Sequence, residues 1–228
     1  MRSAIILGLG LLLLPAAQAQ TQPDIAAVLR RVSQLYKATT QYEFIGEGTC
    51  GGEQARTSEP FRMLFAFKAP NKYRVRSNAP CLKPGEPDPG ESLRVNDGST
   101  LWAYSSKENQ YVSIPAELFG NKQPDSIDQA TMSRYRGIAD IAGQVKFVRE
   151  EDLSVGASKV DCYVVSVPKQ EYAPAQTWWI DKASYHVVRI DGDESSIVFT
   201  TIKLNEPLPD SLFKFVPPPG AKKGELDQ

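Results

Sequence analysis

The chain has 228 residues, 41% of them hydrophobic, with 26 basic side chains against 27 acidic ones. That length allows one large domain or two small ones. The near balance of charge argues against nucleic acid or an anionic membrane surface as the main partner.

Residues 1–19 have the form of a secretory signal peptide. Arg2 supplies the positive start, Ala4 to Pro15 the apolar core, and Ala17-Gln18-Ala19 a small-x-small cleavage site. The apolar run is shorter than the ~20 residues a bilayer core requires, and no cysteine follows it for lipid attachment. The expectation is an exported, soluble chain starting near Gln20. With no low-complexity linker and no fixed-period repeat, residues 20–228 read as a single domain.

Asp24 to Thr39 predicts an amphipathic helix, because Ile25, Val28, Leu29, Val32, Leu35 and Tyr36 recur at three- and four-residue steps. Tyr42 to Thr49, Phe61 to Lys68 and Lys72 to Ser77 alternate with period two, as antiparallel strands do. In FRMLFAFK, Phe61, Met63, Phe65 and Phe67 share one face, and in KYRVRS, Tyr73 and Val75 oppose Lys72, Arg74 and Arg76. Aromatic residues inward and basic residues outward predict a sheet with one wet side. Ala69-Pro70-Asn71 makes the tight link between these two strands.

Leu93 to Val95 should pair with Thr100 to Tyr104 across a turn on Asn96-Asp97-Gly98, where glycine and its Asx neighbours tolerate the positive φ required. Asp97 is therefore read as a turn residue. Tyr111 to Ile114 follows the SSKENQ turn. Ser126 to Ala142 has a weaker helical stripe, interrupted by Gly137. Strands return over 145–150, 159–167, 177–180, 185–191 and 196–204, with a last one expected over 212–216. Strands in series without intervening helices indicate antiparallel pairing.

The three cysteines sit in an expected oxidising compartment. Cys50 and Cys81 each open a loop just beyond a strand-like segment and are expected to form a disulfide. Cys162, within VDCYVVSV, reads as a buried free thiol. Their spacing matches no zinc pattern. The lone histidine, His186, has no neighbouring metal-ligand spacing, and the acidic pairs at 150–151 and 191/193 face no second pair. No nucleophile elbow, phosphate loop or dinucleotide fingerprint occurs. Nothing positive among these motifs supports catalysis.

An antiparallel sheet under one long helix has more apolar surface than the helix stripe covers. Either the second helix completes an ordinary core, or a curved, unclosed sheet keeps an apolar cavity on its concave side. Periodicity leaves both open.

Four segments, in order, resemble the LolA family, periplasmic carriers of outer-membrane lipoproteins: FAFKAPNKYRVR, NDGSTLWAY, Trp179-Ile180-Asp181 and FKFVPPPG. The resemblance implies an α+β fold, a curved antiparallel half-barrel covered on its concave side by helices. It implies a periplasmic monomer that binds without catalysis and with no metal or organic cofactor, taking up lipoprotein or lipid acyl chains and exchanging them with inner- or outer-membrane transport proteins. The implied cavity is lined by Phe65, Phe67, Tyr73, Val75, Trp102, Tyr104 and Trp178, with Leu29 and Val32 from the helix; the alternative inward pair to Trp102 and Tyr104 is Leu101 and Ala103. RseB-type proteins of the same fold imply an alternative, a sensor or protein-interaction module whose partner surface would be the Pro-rich loop 81–90. The chain departs from the carrier family at Ala69, where LolA has an arginine associated with its lid. Lys68, one residue earlier, should point to the opposite face.

Overall fold

The computed structural model describes residues 22–51, 60–78, 88, 90–115, 118, 123–170, 174–193 and 195–225. The expected signal peptide, Cys81 and almost all of the loop 81–90 lie outside them.

Helix α1 (Ile25–Lys37) begins where Asp24 caps it, its carboxylate accepting from the Ala27 amide at 3.0 Å, and Lys37 complements the dipole at the other end. Its apolar stripe is buried, with Leu29 and Val32 fully so. Strands β1 (Gln41–Cys50), β2 (Phe61–Lys68), β3 (Lys72–Asn78), β4 (Glu91–Asn96), β5 (Thr100–Ser105) and β6 (Gln110–Pro115) form one antiparallel meander. Helix α2 (Gln123–Gly137) then crosses to a second meander, and the break foreseen at Gly137 is where it tightens into a 3₁₀ turn, Ile138–Gln144. The second meander comprises β7 (Lys146–Val155), β8 (Ser158–Val167), β9 (Gln176–Asp181), β10 (Val187–Asp191) and β11 (Ser195–Leu204). Pairing of β11 with β1 fuses the two meanders, with a bulge between Ile45 and Gly46. The result is an open, curved sheet in the order β12-β6-β5-β4-β3-β2-β1-β11-β10-β9-β8-β7, where β12 (Lys222–Lys223) is parallel to β6 and every other pair is antiparallel.

The expectation of a wet outer face is corrected over β2–β6. After Leu204 the chain crosses that face as a strap, in a 3₁₀ turn (Asp210–Phe213) where a strand was expected, and ends in β12. Leu208 and Phe213 press on Ala66 in a small outer core. Phe215 stacks on Trp102, centroids 6.0 Å apart, and lies 5.2 Å from Tyr111. The basic residues alternate outward as read, but they fasten the strap: Arg74 donates to the Leu212 carbonyl at 3.2 Å, and Lys68 to the Leu208 carbonyl and Asp210.

The Asn96-Asp97-Gly98 turn is held by its own side chains. Asp97 Oδ1 accepts from the amides of Ser99 and Thr100 at 2.8 and 2.9 Å and from the Ser99 hydroxyl, and Asn96 Oδ1 accepts from the Gly98 amide. Gly98 takes φ +101°, open to glycine at little cost. Partial burial pushes the Asp97 pKa up, but these hydrogen bonds outweigh it and the net shift is downward. Its stabilisation is therefore present above the unfolded value of ~3.9 and is lost as pH falls through the lower folded value. Asp97→Ala is expected to cost about 1 kcal/mol at neutral pH. In urea denaturation the gap from wild type should narrow steadily as pH is lowered below the unfolded value.

Candidate functional site

One part of the inner face is a packed core. Tyr36 of α1 stacks on Tyr135 of α2 at 4.5 Å, and Tyr135 meets Trp178 at 5.3 Å. Tyr42, Phe44, Phe67 and Phe199 continue the aromatic layer beneath them. The Tyr36 hydroxyl accepts from the Val187 amide at 3.2 Å, pinning α1 to β10, and burial holds its pKa above the phenolic range.

Arg136 locks the two helices together. Its guanidinium donates to the carbonyls of Tyr36 (3.1 Å) and Thr39 (3.3 Å) at the C-terminal end of α1 and forks onto Asp128 at 2.5 and 3.1 Å. Ser33 of α1 donates back to the Arg136 carbonyl. The Tyr36 carbonyl also accepts from the Thr39 amide at 3.3 Å, and a cation placed at this end of the helix adds dipole attraction to the hydrogen bonds.

Strand register sorts the inner face of β1–β6 into cross-strand rows. Phe67, Tyr73, Asn96, Leu101 and Ile114 form the first, and all but Ile114 are buried. The second row is Phe44, Phe65, Val75, Arg94, Ala103 and Val112. Beyond Phe44 its apolar members are only half-buried, and Arg94 is exposed. The third row, Met63, Ser77, Ser92, Ser105 and Gln110, turns polar after Met63. The helices thus seal the first row and leave the second as an apolar trough. At ~4.8 Å per strand it runs about 24 Å from β1 to β6.

The expected lining residues divide three ways. Leu29, Val32, Phe67, Tyr73 and Trp178 come together in the packed core. Phe65 and Val75 lie in the trough. Trp102 and Tyr104 are corrected: Trp102 pairs with Val95 and Tyr104 with Leu93 on the outer face, while Leu101 and Ala103 face inward. The two faces of β5 are both apolar, and the strap's Phe215 accounts for the outer one. Arg94 and Val112 escaped sequence reading, and Ala103 entered it only in the alternative pair; period-two alternation of β4, β5 and β6 carries their placement once register is known.

Lys68 points outward, as its parity required, and Ala69-Pro70 is a cis peptide. Cys162 is a buried free thiol whose pKa burial pushes up to about 12, which leaves it unreactive at neutral pH. Cys50 closes β1 and is not a free thiol. His186 is half-buried, and burial lowers its pKa although Asp181 and Glu206 act in the other direction. Among the described residues no group of acidic, histidine or cysteine side chains has the arrangement of a metal site.

The open sheet with helices on its inner face is the LolA-like fold that the sequence resemblance implied. LprF from Mycobacterium bovis superposes with a TM-score of 0.50 at 14% identity, over 82% of this chain and 97% of that one. A LolA superfamily protein from Nitrosomonas europaea is similar at a TM-score of 0.34 and 12% identity, over 83% of this chain and 96% of that one. An uncharacterised protein of Methanocaldococcus jannaschii is 26% identical over 170 residues, 72% of this chain; the match spans 44% of that protein's length. No family model matches the chain.

Arg136→Ala should cost about 2–3 kcal/mol, since it strips charged hydrogen bonds from Asp128 and from two helix-end carbonyls. Hydrogen exchange is expected to quicken in the last turn of α1 before it does in β8 or β9.

Proposed function

We propose that the protein binds a hydrophobic ligand, the acyl chain of a lipoprotein or of a lipid, in the trough of β2–β6, and carries it in the periplasm without chemical change. The observation that carries this reading is the row Phe65, Val75, Ala103 and Val112, which stays half-buried beside a well-packed core. At ~0.8 kcal/mol per buried methylene, an acyl chain laid along these side chains would gain several kcal/mol over water. The LolA-like fold supports the same reading. A protein-sensing module would need no such row, so the carrier is favoured over the sensor.

The reading extends to the ends of the chain and to its partners. A signal peptide cleaved near Ala19 would deliver residues 20–228 as a single exported domain, with membrane transport proteins as donor and acceptor. Cys50 and Cys81 would be joined in the oxidising compartment. Reduction, or Cys81→Ser, is then expected to lower stability by about 2–4 kcal/mol, read as a shift in the urea midpoint. An unchanged midpoint together with a freely alkylated Cys50 would refute the pairing.

Ala103→Asp and Val112→Asp place a carboxylate in the trough at positions that do not pack against the core cluster. Each should weaken displacement of a fluorescent fatty-acid probe by about tenfold or more, since desolvating a charge against an acyl chain is costly, with little change in melting temperature. Trp102→Leu, on the outer face, should lower stability and leave probe affinity near that of wild type. Uptake that survives both trough substitutions would overturn the assignment, and native mass spectrometry would show whether lipid co-purifies.

A further inference from the structure

The trough holds one charge. Arg94 lies in the second row, directly opposite Val75 on one side and Ala103 on the other. It is exposed, and among the described residues it makes no hydrogen bond or ion pair. Its neighbours on the outer face of the same strands behave differently: Arg76 pairs with Glu91 at 2.7 Å, and Arg74 is spent on the strap's carbonyls. Alternation puts Glu91 behind the sheet from Arg94. Glu108, in the β5–β6 turn, is engaged by the Ser105 hydroxyl. The positive charge of Arg94 reaches the Tyr73 phenol in the row above.

The row below it is hydroxylic. Ser77 and Ser92 lie side by side, Oγ to Oγ 3.1 Å apart, and Ser105 continues the row. The inner face therefore passes, along the strand direction, from buried aromatics through an apolar row with a single cation to a line of hydroxyls. A guanidinium set among valine and alanine interrupts an apolar surface and, among the described residues, gains no carboxylate in return. A planar fork of donors at that position suits a carboxylate or a phosphate, and the serines can donate to its remaining oxygens.

We infer that Arg94 is the headgroup anchor of the trough, so that the ligand is an anionic amphiphile whose acyl chain lies on the second row and whose carboxylate or phosphate meets Arg94 beside Ser77 and Ser92. This rests on the acyl-binding reading above and narrows it: the ligand's polar end carries negative charge, and its orientation in the trough is fixed.

The test compares three probes with the same chain, oleic acid, oleoyl lysophosphatidic acid and mono-oleoylglycerol, each competing for a fluorescent acyl probe on the intact protein. Wild type is expected to prefer the two anions over the neutral glyceride by roughly tenfold, the gain of a charge-assisted hydrogen bond. The preference should shrink as salt is raised. Arg94→Gln should bring the ratio close to one, and Arg94→Lys should keep part of it. Arg76→Gln, outward on the neighbouring strand, should keep the full ratio. A larger effect on the phosphate than on the carboxylate would identify a phospholipid as the source of the headgroup, and the reverse a fatty acid. If wild type takes neutral and anionic probes equally, or if the ratio survives Arg94→Gln, the anchor is refuted while acyl binding stands. If none of the three probes binds, acyl binding fails and the anchor with it.

Discussion

The architecture follows from a shortfall of cover. Twelve strands at ~4.8 Å spacing present an inner face about 53 Å around, whereas α1, with 13 residues, is about 20 Å long and α2, with 15, only slightly longer. Because Tyr36 and Tyr135 stack the two helices against each other, they lie together instead of dividing the sheet between them. Apolar side chains within their reach reach full burial, as Leu29, Trp178 and Ile180 do. One row farther along the strands of the first meander, burial stops at half. Packed core and half-buried apolar band are thus consecutive stretches of one sheet face: the second helix completes an ordinary core over the first, and the second is the surface on which the binding proposal rests.

The outer face answers a second shortfall. Strands β2–β6 carry apolar side chains on both sides, and Ala66, Val95 and Leu93 would be exposed there without the strap. The Phe-x-Phe of the closing segment supplies two plugs, Phe213 over Ala66 and Phe215 over Trp102. Polar contacts hold the strap in register: Asp210 is shared between Lys68 and Lys72, and Arg74 meets two of its carbonyls. The second meander instead closes its own outer cluster, where Arg189 lies 4.4 Å over the Trp179 ring while forked onto Asp191.

Local features of the sequence translate directly into this structure. The stripe of α1, the β4–β5 turn, the break at Gly137 and the parity of β2 and β3 each depend on residues within a few positions of one another. The parity of β5 does not. Leu101 and Ala103 are as apolar as a core requires, and so are Trp102 and Tyr104; only Phe215, distant in sequence, gives Trp102 on the outer face an aromatic partner. The strand expected over 212–216 failed for the same reason, since its alternating phenylalanines fill pits on a sheet and not a ladder position. Arg94 was invisible because a basic residue in a strand ordinarily reads as solvent-facing, and nothing nearby in the chain marks its face as the inner one.

The three tryptophans of the chain end up in three unlike surroundings, none of them the trough. Trp178 is enclosed in the aromatic core, Trp179 lies beneath two guanidiniums on the outer face of the second meander, and Trp102 is sealed under the strap. Emission from the indoles accordingly reports the integrity of the frame from three independent stations. None of the three lies in the trough row, so the protein's own light follows the unfolding of the frame.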